Sequence, residues 1–134
     1  MTVRAKNRAM VAGIVIGIVA LAATLLPIVA SPSDDAVRDI QIVVRDMTFY
    51  LEGSSDPNPV ITFRAGEQVR IRLRNEDPGM RHDFSIRSWA IATRILEDRG
   101  EQDEIFFRVP ATPGTETYRC TPHAKMMSGT IRVE

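Results

Sequence analysis

The chain of 134 residues contains one cysteine and two histidines, and this scarcity excludes several kinds of metal and redox site. One cysteine cannot form an internal disulfide, and it cannot supply a four-cysteine zinc site, an iron–sulfur cluster or a two-cysteine redox motif. Two histidines are too few for a centre with three metal ions. The chain is also too short for a large multidomain enzyme, because about 100 residues remain after an apolar N-terminal segment and these bury only one modest core.

Acidic residues are absent from the first 30 positions, where the charged side chains are Arg4, Lys6 and Arg8. Since these are three of the 17 basic residues, the rest of the chain carries 14 basic and 17 acidic side chains and a formal charge of −3. Nucleic-acid binding requires a dense basic surface. We therefore expect no nucleic-acid partner.

Residues 9–30 form a mainly apolar stretch of 22 residues without a charged side chain. At about 1.5 Å per residue, a helix of this length crosses a hydrocarbon core of about 30 Å, whereas the apolar region of a cleaved secretory signal usually has about 7 to 15 residues. We predict a transmembrane anchor or uncleaved signal at 9–30, with a signal peptide that is removed as the alternative. Gly13 and Gly17 have the G-x-x-x-G spacing that lets two membrane helices pack closely, so a helix-mediated dimer is a further hypothesis.

The basic residues before this run predict its orientation. By the positive-inside rule, residues 1–8 form a cytoplasmic tail and the chain after the run crosses the membrane. We therefore expect a single-pass protein of the cell membrane whose C-terminal domain lies on the extracytoplasmic side, periplasmic or extracellular.

Residues 31–35 are polar and include Pro32, which predicts a short linker at 31–36, and the folded domain is expected at 37–134. Within the domain, apolar and polar residues alternate at 40–45, 69–74, 105–109 and 131–133. This period of two is typical of half-buried strands, and turns containing Gly or Pro separate them. Because the domain has no convincing apolar stripe of helical period, the pattern predicts an all-β fold, as an antiparallel sandwich or a Greek-key barrel.

One predicted strand, at 69–74, has an outward row formed by Arg70, Arg72 and Arg74. Such a row attracts an acidic partner over a long range. Alternatively, it is a solvated face that also discourages pairing at a sheet edge. We favour the solvated face.

Residues 118–129 contain several side chains that bind soft metals. Cys120, His123 and two methionines share one predicted loop between two strands, and His82, the other histidine, follows an upstream turn. A thiolate stabilises Cu(I), imidazole binds both oxidation states, and a long thioether contact completes a trigonal site. Each of these residues alone more often has a structural role, but their combination predicts one copper ion. Zinc fits less well because structural zinc prefers four Cys or His donors.

At these residues the sequence resembles the cupredoxins, the family of small blue copper proteins. Residues 114–123 are similar to the family's approach to the copper loop, and 127–133 to the M-x-G-x-hydrophobic strand that closes the fold. The resemblance implies an eight-stranded Greek-key β-sandwich with a type-1 copper site at one end. The ligands that it implies are His82, Cys120, His123 and a methionine.

Asp83 departs from the family pattern, because this position usually holds Asn. In the family this residue ties the two ligand loops together. The resemblance therefore implies a hydrogen bond between Asp83 and Thr121. The Asp83 carboxylate would place a negative charge beside the metal.

Met126 and Met127 are both candidates for the axial ligand. Counting forward from His123 favours Met126, whereas counting back from the final strand favours Met127, two residues before Gly129. Strand register is fixed by burial, while a loop can change its length by one residue. We therefore predict Met127.

The resemblance implies a carrier of single electrons that makes no bonds, so we expect no enzymatic activity. His123 is the expected exit for the electron. The expected apolar collar around it is Pro78, Gly79, Met80, Pro122, Ala124 and Met126. Expected partners are redox proteins, including respiratory or photosynthetic complexes of the membrane. The alternative is a copper-holding or copper-delivery protein, because thioethers such as those of Met80 and Met126 bind Cu(I).

Overall fold

The computed structural model describes residues 36–134, which form two β-sheets around a shared apolar core. The described strands are β1 (Val37–Arg45), β2 (Thr48–Leu51), β3 (Ile61–Phe63), β4 (Gln68–Asn75), β5 (Ser85–Ile86), β6 (Ile91–Ala92), β7 (Gln102–Arg108), β8 (Gly114–Arg119) and β9 (Ser128–Val133). The helical structure in this range is one turn of 3-10 helix at Arg87–Trp89. The predicted all-β fold is confirmed.

One sheet has the strand order β2-β1-β4-β7, and the other has the order β3-β9-β8-β5-β6. Two expectations need correction. The pattern predicted an antiparallel arrangement, but the pairs β1–β4 and β3–β9 are parallel. The resemblance implied eight strands, but residues 36–134 contain nine. After β2 the chain leaves the first sheet to form β3 in the second. It then returns beside β1 in the direction of β1, which makes that pair parallel.

Burial in β4 follows the predicted period of two. Val69, Ile71 and Leu73 are fully buried, while the residues between them are partly exposed. In β9, Ile131 and Val133 are buried and Arg132 is exposed, as the predicted register requires. The buried polar residues of the described chain are concentrated in one segment: Asn75, Asp77, His82, Asp83, Ser85 and Thr93. These residues make one end of the core polar, and His82, a predicted metal ligand, is among them.

The outward arginines of β4 lie beside carboxylates. The ion pairs are Arg70–Asp39, Arg72–Glu104 (3.3 Å) and Arg74–Glu76 (2.9 Å). These pairs neutralise the row, which favours the interpretation as a solvated face over a docking site for an acidic partner. The arginine row was also expected to discourage pairing at a sheet edge. This expectation is wrong, because β4 is an inner strand between β1 and β7.

The predicted tail at 1–8, the predicted anchor at 9–30 with Gly13 and Gly17, and most of the linker lie outside the described residues. Between residues 36 and 134, no helix has the length and apolar character needed to cross a membrane.

Gly129 is fixed by the ring that faces it across the β8–β9 pair. Tyr118 is paired with Gly129, is fully buried, and donates a hydrogen bond from its hydroxyl to the Pro59 carbonyl at 2.7 Å. Its ring also stacks on Phe84 and meets Phe49 edge to face. A Cβ atom at Gly129 would lie 2.2 Å from the Tyr118 ring, so glycine is required here for steric reasons.

We expect Gly129→Ala to lower the free energy of unfolding by about 1–3 kcal/mol, because the added methyl group must displace a well-packed ring. Chemical denaturation measures this change. Gly114→Ala in the same strand pair is the matched control, since a Cβ atom there meets nothing within 4 Å. Equal losses in the two variants would contradict the steric explanation.

Candidate metal centre

Two connections at one end of the sheets carry the predicted ligands. His82 lies between β4 and β5, in an isolated bridge to Leu96. Cys120 directly follows β8, and His123 lies in the loop that leads to β9. Because β5 pairs with β8 through Ser85 and Arg119, the two connections are held side by side. Residues 38 positions apart in sequence, His82 and Cys120, therefore become neighbours.

The three predicted donors converge on one point. The Cys120 Sγ atom lies 3.7 Å from His82 Nδ1 and 3.6 Å from His123 Nδ1, and the three donor atoms lie within 4.8 Å of one another. At bond lengths of about 2.0 Å to imidazole and about 2.3 Å to thiolate, a trigonal ion would separate sulfur from nitrogen by about 3.7 Å. The observed separations therefore match three donors around a single ion.

His82 is held in one orientation by its backbone and by its ring. Its amide donates to the Leu96 carbonyl (2.9 Å), and its carbonyl accepts from the Leu96 amide (2.7 Å). Its Nε2 atom lies 3.0 Å from the Asp77 carboxylate, so Nε2 carries the proton and Nδ1 keeps a free lone pair. Burial lowers the pKa of His82 and outweighs the opposite effect of Asp77, which favours the neutral ring that metals bind.

Cys120 is fully buried, and burial raises the pKa of its thiol. Hydrogen bonds donated to the sulfur by the backbone N–H groups of Asp83 and His123 act in the opposite direction. Metals bind the thiolate, so the thiol proton must leave when metal binds. The two N–H groups then stabilise the sulfur's negative charge.

Asp83 is buried and accepts a hydrogen bond from the Thr121 amide through its Oδ1 atom. This hydrogen bond is the link between the two ligand loops that the family resemblance implied. Ser85 adds a second link, because its hydroxyl donates to the Arg119 carbonyl at 3.1 Å. Both links hold Cys120 against the segment that carries His82.

The two candidate methionines differ in burial. Met127 is fully buried, and its carbonyl accepts a hydrogen bond from the Cys120 amide at 3.0 Å. Met126 is 63% exposed. The amides of both residues donate to the His123 carbonyl, which makes the loop a compact turn. Met127 therefore lies on the core side of the ligand loop, and Met126 lies on its outer side.

The sequence alone did not identify Asp77 as a contributor to the site. Asp77 lies in the turn before His82, where Gly79 has the positive φ (65°) that such a turn requires. The five-residue spacing between Asp77 and His82 gives no recognisable motif.

Comparison with known proteins identifies the family. Residues 62–134, more than half of the chain, match the family described as "Copper binding proteins, plastocyanin/azurin family". The chain belongs to this family. No curated protein sequence is a significant match.

Several solved structures have the same cupredoxin fold. A histidine-to-methionine variant of rusticyanin is 19% identical, with a TM-score of 0.58 over 73% of this chain and 78% of the other. Auracyanin A from Chloroflexus aurantiacus is 18% identical, with a TM-score of 0.55 over 74% of this chain and 100% of the other. A chain from a haem-copper terminal oxidase dimer is 20% identical, with a TM-score of 0.59 over 76% of this chain and 66% of the other. At these identities the likeness establishes the fold.

The donor set of this cupredoxin fits copper. Two imidazoles and one thiolate suit a trigonal copper site, and a thioether is its usual weak axial ligand. The cofactor is therefore one copper ion, as the sequence predicted.

Proposed function

We propose that the protein is an electron carrier that shuttles single electrons through a type-1 copper site formed by His82, Cys120, His123 and Met127. The observation that carries this proposal is the convergence of two imidazole nitrogens and one thiol sulfur within 4.8 Å at the end of a cupredoxin fold. Bound copper supplies the one-electron couple between Cu(I) and Cu(II). The chain's own residues hold the ligands still and provide a path to the surface.

Rigid placement of the ligands is what such a carrier requires, because both oxidation states must share one geometry. His82 is fixed by Leu96 and Asp77, and Cys120 is fixed by the hydrogen bond that its amide donates to the Met127 carbonyl. The Asp83–Thr121 bond joins the two connections. The ligands therefore rearrange little when the charge of the site changes.

His123 is the proposed exit for the electron. It is partly exposed, whereas His82 and Cys120 are fully buried, so it is the histidine nearest to a partner. Pro122 and Met126 beside it are exposed and apolar. A small apolar surface suits a redox partner that docks briefly and dissociates quickly.

We propose redox proteins as partners and no enzymatic activity for this chain. A haem-copper terminal oxidase structure contains a chain of similar fold, which supports a redox complex of this kind as one class of partner. The site consists of residues that bind a metal ion, and electron transfer through that ion requires no bond to be made or broken in a substrate.

Copper delivery is the second candidate. The exposed thioether of Met126 beside the site favours it, because such groups bind Cu(I). The burial of His82, Cys120 and Met127 favours retention of the metal instead. Electron transfer is therefore our first choice.

We also propose that residues 9–30 anchor the carrier and that the copper domain faces the extracytoplasmic side. The support is the uncharged run of 22 residues and the three basic residues before it. We expect the chain to remain with membranes after high-salt and alkaline washing. Recovery of a soluble protein that begins near Ser31 would show that the segment is removed.

The axial ligand is tested by replacing each methionine in turn. Met127→Gln should change the copper spectrum and lower the reduction potential, because an oxygen donor favours Cu(II) more than a thioether does. Met126→Gln is the matched control and should leave the spectrum unchanged, since its side chain is on the outer side of the loop. Visible spectroscopy and voltammetry measure both effects. The reverse outcome would transfer the axial role to Met126.

The function is tested by cycling the copper-loaded protein between ascorbate and ferricyanide in the presence of a metal-free copper-binding acceptor. An electron carrier gains and loses one electron per chain and keeps its copper through repeated cycles. Its oxidised form should have an intense sulfur-to-copper charge-transfer band, which Cys120→Ser should abolish. Transfer of copper to the acceptor within a few cycles would instead support delivery, and a colourless oxidised wild type would contradict the thiolate ligand.

A further inference from the structure

One carboxylate joins a proposed copper ligand to a distant hairpin turn. The Asp77 side chain is nearly buried, with 8% of the residue exposed. It accepts three hydrogen bonds: from the Asp46 amide at 2.6 Å, from the Met47 amide at 3.0 Å, and from His82 Nε2 at 3.0 Å. Its own amide donates to Asn75 Oδ1 at 2.9 Å, which orients the residue.

The turn that Asp77 holds is strained. Asp46 and Met47 connect β1 to β2, and their φ angles are 51° and 56°. Both values lie in the left-handed region, which Asp adopts more readily than Met, so the strain falls mainly on Met47. Two-residue hairpins of this type usually have Asn, Asp or Gly at the first position and Gly at the second, so Asp46 fits the usual pattern and Met47 does not. The Asp77 carboxylate accepts hydrogen bonds from both turn amides and so holds the turn in this conformation.

We propose that Asp77 is a positioning residue of the copper centre, which fixes His82 as the Nε2–H tautomer with Nδ1 as its metal donor. The inference rests on the proposed ligand role of His82. A carboxylate that accepts the second N–H of a ligating imidazole sets the ring's orientation and raises its basicity. A more basic ligand near a negative charge stabilises Cu(II) relative to Cu(I). Asp77 therefore both orients the ligand and lowers the reduction potential.

The first test removes the contact in the full chain. Asp77→Ala should weaken Cu(II) binding about 10- to 100-fold in competition with a chelator, as loss of such a partner does elsewhere. Asp77→Asn, which keeps an acceptor oxygen but loses the charge, should bind copper more tightly than Asp77→Ala and should have a higher potential than the wild type. The imidazole ¹⁵N resonances of His82 in the Cu(I) protein should show an Nε2–H group protected from exchange in the wild type and exposed to exchange in Asp77→Ala.

A second test separates this role from support of the turn. Asp46→Gly with Met47→Gly lets the hairpin reach positive φ without strain. In that background, Asp77→Ala should regain the hairpin's stability but keep the weakened copper binding and the altered His82 resonance. Recovery of wild-type copper binding in that background would overturn the proposal, because Asp77 would then act only through the turn.

Asp83→Asn is the matched control for charge. It removes a buried carboxylate that accepts from the Thr121 amide, whereas the partner of His82 Nε2 is Asp77, so it should raise the potential without changing the His82 Nε2–H resonance. If the proposed ligand set is wrong, the wild type itself lacks the charge-transfer band. If only the role of Asp77 is wrong, the wild type has the band and the Asp77 variants keep its copper affinity and His82 resonance.

Discussion

The hydrogen bond from the Cys120 amide to the Met127 carbonyl, 3.0 Å long, closes the ligand loop, and the geometry of the metal centre depends on it. It continues the β8–β9 ladder by one step beyond the pair Arg119–Ser128. The same ladder places Ile131 in the core and Gly129 against Tyr118. A slip of one residue would expose the core face and displace the loop together. The apolar core and the metal ligands are therefore positioned by one register.

The long strands and the donor set were predictable from sequence because each depends on information that a short segment contains. Alternation over 69–74 identifies β4, and burial of Ile131 fixes the register of β9. The cysteine and histidine ligands could be predicted because the chain has only one cysteine and two histidines, so no other residue of either type was available. Their convergence in space follows from the family resemblance, and the distances around Cys120 agree with it.

Other features escaped prediction for physical reasons. β5 and β6 have two residues each, too few to show a period. The parallel pairing of β1 with β4 depends on how the chain crosses between sheets, and alternation does not encode direction. Asp77 escaped because its role depends on partners 31 and 5 positions away, while its own tripeptide is fully explained as a turn. Long-range polar contacts of this kind leave no local pattern.

The centre separates the groups that adjust the metal from the groups that meet a partner. The carboxylates of Asp77 and Asp83 are buried, and one contacts the inner histidine while the other joins the two ligand loops. The outer part of the ligand loop, 121–126, has no acidic residue, and His123 lies there among exposed or partly exposed neighbours. In a site with low dielectric, a buried charge acts strongly on the metal, whereas solvent screens its effect on a docking partner. The reduction potential can therefore change through the inner carboxylates while the surface that recognises partners stays the same.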